Sequence, residues 1–489
     1  MSLRTLALRT LLPAFPGTHP PAWALRLVEE GLGGIALFGA NIVSPDQVAA
    51  LTATLRGART DVIVATDEEG GDVTRLCYAQ GSPYPGNAAL GIVDDIAVTE
   101  EIYAAIGAQL AAVGITLDMA PAVDVNSSDD NPTIGTRSFG TDPARVAMHA
   151  AAAVTGLQRA GISACAKHFP GHGATEDDSH TDLPTVDAPM ELLWQRELPP
   201  FRAAVAAGVR SIMTAHIRVP LLTGDAPATF SATALHDLLR GMLGFQGAIV
   251  SDALEMRGAS GAIGVPEAAV RALQAGNDLL CVGGEVVKLP TEQAHELVEA
   301  TVAAIVAAVQ SGRLREEDLA RAAARSAVLG TLPEHAVTMD DAKAAELGLT
   351  AARRALRVEG ALPAHPALVV QLEPAATVAV GEVPWGLAPH VPGVLRSTST
   401  ADPATLAEQA AGRPIVVVSR DTHRHLWARR VVETLAAAHP SVVLVEMGWP
   451  AAWRPAGLAA YVASHGAAAA NARAVAEILD RAGLVHTRS

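Results

Sequence analysis

The chain has 489 residues, half of them hydrophobic, with 36 Lys and Arg against 51 Asp and Glu for a formal charge of −15. That composition excludes a mostly disordered chain, and an acidic balance without a Lys/Arg run argues against nucleic acid as the main partner. The length suits two or three ordinary domains, or one large barrel with a smaller companion.

At the N-terminus, Arg9 interrupts the apolar stretch before it could form a signal-peptide core, and no later apolar run reaches transmembrane length. The expectation is a soluble cytoplasmic protein without a membrane partner. Cys77, Cys165 and Cys281 are widely spaced and odd in number, which suits reduced thiols better than a disulfide framework.

From residue 33 onward, short apolar runs recur, each ending in polar or glycine-rich residues. They are GGIALF (33–38), DVIVATDEEGG (61–71), GITLDMAPAVDV (114–125), GISACAKHFPGHG (161–173), VRSIMTAHI (209–217), GAIVSDALEM (247–256) and NDLLCV (277–282). Alanine-rich helical stretches separate them, among them 101–113, 143–160 and 265–275. Continuous apolar strands alternating with amphipathic helices predict a parallel sheet covered on both faces. Seven such units in about 280 residues fit an α/β fold of the (β/α)₈ TIM-barrel type. The eighth strand is not visible, so a doubly wound open sheet stays open as the alternative. The barrel is favoured because chemically rich residues follow nearly every strand, where barrel active sites are built.

Residues 291–312 and 315–330 predict further helices, and AARRALRVEG lies in a helical connector. Strand–helix alternation then restarts with ALVVQL, RPIVVVSRD, SVVLVEMGWP and LAAYVAS. The expected domains are a catalytic barrel over 1–345, a helical connector over 346–365 and a smaller α/β sandwich domain over 366–489.

The densest chemistry lies in Lys167-His168-Phe169-Pro170-Gly171-His172-Gly173 and its continuation through Asp177, Asp178, Ser179 and His180. Three histidines, a lysine and several acids share a loop kept irregular by glycine and proline, at the end of a predicted strand. A solvated loop and a metal site compete with acid–base chemistry here. The four-residue spacing of His168 and His172 clusters ligands best on a helix, which Pro170 and its flanking glycines disfavour. Asp178 stands two residues from His180, where a carboxylate can hold one ring nitrogen and leave the other to move a proton. An Asx-turn accounts for the same pattern.

Asp252 follows the strand GAIV, at a position suited to a nucleophile, a base or a helix cap. Asp67 holds the equivalent place after strand IVAT, where an acid-rich helix start is the alternative. Asp118 and Asp124 flank the next strand, and one of them reads as structural. Arg137 could clamp an oxygen-rich ligand through its planar fork. Gly283-Gly284 lacks the spacing of a dinucleotide fingerprint and no phosphate-binding loop occurs, so no cofactor is expected.

These residues are similar to a known family. The chain resembles the bacterial family 3 glycoside hydrolases of the β-N-acetylglucosaminidase branch, two-domain type, over roughly residues 25–330. The motifs are ATDEEGGDVTRL (65–76), APAVDVN and NPTIGTRSFGTDP (120–143), KHFPGHGATEDDSH (167–180), MTAHI (213–217), PATFSATAL (227–235), LGFQGAIVSDALEM (243–256) and AGNDLL (275–280). The histidine loop is the most specific of them.

The resemblance implies Asp252 as nucleophile, His180 as general acid/base and Asp178 as its orienting carboxylate. It implies Asp67, Arg75, Arg137, Lys167 and His168 as contacts to sugar hydroxyls or the acetamide, with His216 behind them. Family members often carry a second acid after Ser-Asp; here Ala253 stands instead. The implied reaction is retaining exo-hydrolysis of terminal β-linked N-acetylglucosamine, with no metal or cofactor, from muropeptide fragments of wall recycling or from chito-oligosaccharides. A histidine base repels an anionic acceptor less than a carboxylate would, so phosphorolysis to a sugar 1-phosphate is the alternative. A zinc hydrolase and a sugar-binding protein without turnover are further alternatives, and a homodimer is compatible with the sequence.

Only 17 residues are Trp, Tyr or Phe, and Trp385, Trp427, Trp449 and Trp453 fall in the second domain. A cleft for long polysaccharide would be lined with stacking rings. Their scarcity favours a pocket that reads one sugar by hydrogen bonds.

Overall fold

Each of the seven apolar runs forms a short buried strand in the computed structural model, which describes every residue except 177–182, 262, 333–339 and 489. The strands are β1 (Leu11–Pro13), β2 (Gly34–Leu37), β3 (Ile63–Thr66), β4 (Leu117–Asp118), β5 (Ser163–Phe169), β6 (Ser211–Thr214), β7 (Ala248–Ser251) and β8 (Leu279–Val282). They pair in the order β1-β8-β7-β6-β5-β4-β3-β2, parallel throughout, which makes a nearly closed eight-stranded barrel. The strand invisible in the sequence is β1. Three residues ending in proline are too short for a periodic signal, and their pairing with Leu280, Cys281 and Val282 makes them a strand.

Closure settles the choice against an open sheet. Leu12, Ala36, Ile63, Ala65, Leu117, Cys165, Met213, Ala248, Val250, Leu279 and Cys281 fill the interior, together with Leu329. Among the described residues no disulfide joins the three cysteines, and burial pushes the Cys165 thiol up to about 12. Helices between strands begin where the chain supplies caps: Ser44 accepts from the Gln47 amide ahead of Pro45–Ala58, and Asp142 accepts from the Ala144 amide ahead of Pro143–Arg159.

A second sheet comprises β9 (Arg357–Gly360), β10 (Leu368–Leu372), β11 (Leu395–Ser397), β12 (Ile415–Ser419), β13 (Val442–Glu446) and β14 (Ala460–Ala463), in the order β11-β10-β12-β13-β14-β9. Alternate residues serve two apolar layers. Val416, Val418, Val443, Val445 and Val462 pack with the helix Ala469–Arg481, and Val417, Leu444, Tyr461 and Ala463 pack with Leu406 and with Val431, Val432 and Leu435. This is the expected sandwich of sheet between helices.

The helical reading of the connector holds only in part. The helix Asp341–Ala355 ends at Leu356, and Arg357–Gly360 turns into β9, which pairs antiparallel with β14. The β14 edge offers unpaired backbone groups, and covering them outweighs continuing a helix into Val358 and Gly360.

The chain divides into two units. One holds residues 1–69, 99–134 and 141–339; the other holds 70–98, 135–140 and 340–489. Among the described residues no helix is long and apolar enough to cross a membrane.

Candidate active site

The carboxyl ends of β3, β4, β5 and β7 carry the charged residues of the barrel. Asp67 follows β3 directly, and Thr66 anchors that strand end by donating to the Leu37 carbonyl at 3.0 Å. Lys167, near the end of β5, is buried and donates to Asp67 Oδ1 at 2.6 Å and to Glu69 Oε1 at 2.7 Å. One ammonium thus holds two carboxylates in a site where either alone would be costly to ionise. The Glu68 amide donates to Asp118 Oδ1 at 2.9 Å. Burial raises the Asp118 carboxyl well above its usual range, and its bond to the Glu68 amide makes it a support for the loop after β3.

Asp124 organises the histidine loop. Its Oδ2 lies 2.8 Å from His168 Nδ1, and its Oδ1 accepts from the backbone amides of His168 at 3.2 Å and His172 at 2.7 Å. Burial works against its charge, but His168 and His172 more than offset it and keep the carboxyl below the usual range. The bond to His168 Nδ1 directs that ring's Nε2 away from the acid. His172 is different: burial first, then the neighbouring His168, lowers it to about 4. Its Nδ1 lies 2.8 Å from the Thr175 hydroxyl, and its carbonyl accepts from Asn131 Nδ2 at 2.9 Å. It is a neutral structural ring within the loop.

Asp252 sits one residue beyond β7 and is half-buried. Its amide donates to the Thr214 carbonyl at 3.2 Å, and its Oδ1 accepts from the Ala253 amide at 2.7 Å. His216 lies behind it, with Nε2 3.0 Å from the Ala253 carbonyl and Nδ1 2.8 Å from the Thr229 hydroxyl. A carbonyl can only accept, so Nε2 carries the proton and the ring fixes the backbone that follows Asp252. Glu255 ties the same loop to the end of β8, its Oε1 accepting from the amides of Gly283 at 2.9 Å and Glu285 at 3.1 Å.

The fold therefore gathers Asp67, Lys167, His168 and Asp252 at strand ends of one barrel. Arg75 and Arg137 belong to the second unit, where both are buried. Arg75 Nη2 donates to the Ala379 carbonyl at 2.8 Å, and the Arg137 carbonyl accepts from Asn87 Nδ2 at 2.7 Å. Asp178 and His180 lie outside the described residues. Sequence reasoning missed Glu69 as the second partner of Lys167 and left open which of Asp118 and Asp124 is structural. The acid run Asp-Glu-Glu was the available signal for Glu69; nothing local marks Asp124 as the partner of a residue 44 positions later. Among the described residues no group of three or more His, Cys, Asp or Glu is arranged to hold a metal ion.

Known proteins resemble this chain in sequence and fold. The chain is 34% identical over 345 residues to β-hexosaminidase A of Pseudoalteromonas piscicida, a match that covers 66% of this chain and 57% of that one. It is 38% identical over 258 residues to the β-hexosaminidase of Methylococcus capsulatus, covering 52% and 77%. Over its whole length it superposes on the family 3 β-N-acetylglucosaminidase of Paenibacillus sp. str. FPU-7 with a TM-score of 0.87 and 31% identity, covering 98% of that structure. The glycosyl hydrolase family 3 N-terminal domain matches residues 22–329, and the chain belongs to that family.

Proposed function

We propose that the protein is a retaining exo-β-N-acetylhexosaminidase that removes terminal β-linked N-acetylglucosamine from small glycosides such as muropeptide or chito-oligosaccharide fragments. The observation that carries this reading is the set of acids and bases at the barrel's strand ends, Lys167 between Asp67 and Glu69 and His168 on Asp124, with Asp252 on β7, in a family 3 chain.

In the first half-reaction, Asp252 attacks the anomeric carbon while His180 protonates the departing oxygen, and a glycosyl-enzyme ester forms. In the second, His180 takes a proton from water, which attacks the same carbon, frees Asp252 and leaves the configuration unchanged. Asp178 holds the His180 tautomer and stabilises the imidazolium. The common template uses two carboxyls about 5–5.5 Å apart, one of them kept protonated by its surroundings. Histidine, with an ordinary pKa of about 6.5, serves as acid and base near neutrality with less adjustment. Asp67, Arg75, Arg137, Lys167 and His168 contact the sugar's hydroxyls or acetamide.

Trapping tests the assignment. Incubation with a slow 5-fluoro glycoside followed by peptide mass mapping should place the label on the peptide bearing Asp252. A label on any other carboxylate overturns the mechanism. Hydrolysis products should be the same with and without millimolar phosphate; a sugar 1-phosphate would reassign the acceptor.

A further inference from the structure

The helix that supports the histidine loop carries a buried acid outside the mechanism above. Met190–Leu192 starts it as an α-turn, Leu193–Glu197 forms a π-turn, and Leu198–Ala206 resumes as α-helix. Pro199 and Pro200 explain the irregularity: neither has an amide hydrogen, and each ring crowds the carbonyl four residues earlier. Wide turns of this kind are frequent at functional sites.

Glu197 closes the π-turn and is 1% exposed. Its Oε1 accepts from Arg196 Nε at 2.5 Å, and its buried Oε2 has no hydrogen-bond partner among the described residues. The carboxyl lies against the histidine loop. A Cβ placed on Gly171 would stand 2.6 Å from Oε2, and the Gly171 φ of +129° already restricts that position to glycine. One turn further along the helix, Phe201 meets Phe169 edge-on, with ring centroids 5.2 Å apart. Helix and loop thus touch at two points, on either side of the turn that aims His168 and His172 at Asp124.

We propose that Glu197 is a positioning residue for the histidine loop, supporting it from beneath through its buried carboxyl at Gly171. Among the described residues, the charged and titratable groups around it are Arg196 on its own helix and Asp124 on the loop after β4, which in turn bonds His168 and His172. Burial foremost, with Asp124 in support and Arg196 opposing, pushes the Glu197 carboxyl up to about 7. Below that pH it is an uncharged body under Gly171. Above it, a second anion faces Asp124 from beneath the loop, and the loop loosens. The consequence for catalysis rests on the reading that this loop leads to the acid/base His180.

The test uses the full-length protein with Glu197→Gln, which keeps shape and neutrality, and Glu197→Ala, which removes the support. Amide exchange at Gly171, His172 and Thr175, corrected for its intrinsic pH dependence, should rise about tenfold or more between pH 6 and 8.5 in the wild type and stay level in Glu197→Gln. With an aryl β-N-acetylglucosaminide, Glu197→Ala should lose about tenfold or more in kcat while KM changes less than about threefold. Glu197→Gln should restore most of that loss and move the alkaline limb of kcat up by about one pH unit or more. Identical pH dependence of exchange in the wild type and Glu197→Gln overturns the proposal even if Glu197→Ala does not fold. If the wild type cleaves no such glycoside, the functional reading falls, and exchange alone still decides the role of Glu197.

Discussion

At the carboxyl ends of the barrel strands, titratable side chains are held by other side chains: Lys167 by Asp67 and Glu69, and His168 by Asp124. At the carboxyl end of β13, in the second unit, the buried Glu446 is held by the backbone. It accepts from the amides of Asp421 at 2.7 Å, Gly448 at 2.7 Å and Thr422 at 3.1 Å, and from the Thr422 hydroxyl at 2.6 Å. The barrel sheet is parallel and the second sheet is parallel except at its β9 edge, and both place acids where ligands usually bind. A carboxylate that satisfies four local donors is a loop staple, with its acceptor capacity consumed. Asp252 is half-buried at the end of its strand, a position from which a carboxylate can reach a substrate. Position at a strand end is therefore a weak indicator of function until the partners of the group are known.

The largest expected effect tests Asp252 as the group that separates the two regions. Asp252→Asn should lower kcat/KM by about 10⁴ or more, roughly 5 kcal/mol of transition-state stabilisation, with the unfolding midpoint nearly unchanged. Steady-state kinetics beside a urea melt reads both quantities, and a variant within tenfold of wild type would remove Asp252 as the nucleophile.

Lys167→Met leaves Asp67 and Glu69 without their shared cation. Its cost should be about 3–5 kcal/mol in unfolding free energy, together with a large loss of activity. A melt that matches the wild type would show that the buried ammonium does not hold these acids.

His180→Ala should lose about 10²–10⁴-fold in rate with poor leaving groups and far less with activated aryl groups, which need little protonation. Equal losses across a leaving-group series would contradict its role as the acid.

His172 supplies a pH effect. Its native pKa is lowered to about 4, against an ordinary value near 6.5. Between these values the unfolded chain binds a proton that the native ring refuses, so stability is lost as pH falls from about 6.5 toward 4, by up to about 3 kcal/mol. Urea unfolding across that range should show a flatter slope in His172→Gln; unchanged slopes would assign the effect elsewhere.

The smallest effect belongs to the other side of the comparison. Glu446→Gln should cost about 1–3 kcal/mol of stability, because an amide cannot accept from all four donors. The kcat should stay within about twofold of wild type. A large fall in kcat in a folded variant would mean that the second unit's acid serves more than its own loop.

Seven barrel strands were legible because each is a continuous apolar run that ends in glycine or charge, the pattern of a strand buried on both faces. β1 was not, because Leu11–Pro13 owes its strand geometry to β8. β9 was not, because its exposed Arg-Val-Glu-Gly is stabilised by the edge of β14. The same division runs through the site. Asp67, Lys167, His168 and Asp252 stand out in the sequence because each follows or ends a strand. Asp124 and Glu197 do not, because what distinguishes them is a partner that is distant in the chain: the histidine loop lies 44 to 48 positions beyond Asp124 and 26 before Glu197.

By itself, the sequence determined which residue types stand at which strand ends, and through its motifs the family to which the chain belongs. Periodicity and motif spacing are local properties that survive without a fold. Only the tertiary structure decided in which direction burial and neighbours push an acid's protonation, and which acids are saturated by local donors. Protonation depends on burial and on opposite charges within a few ångströms, and those distances exist only once the barrel has closed.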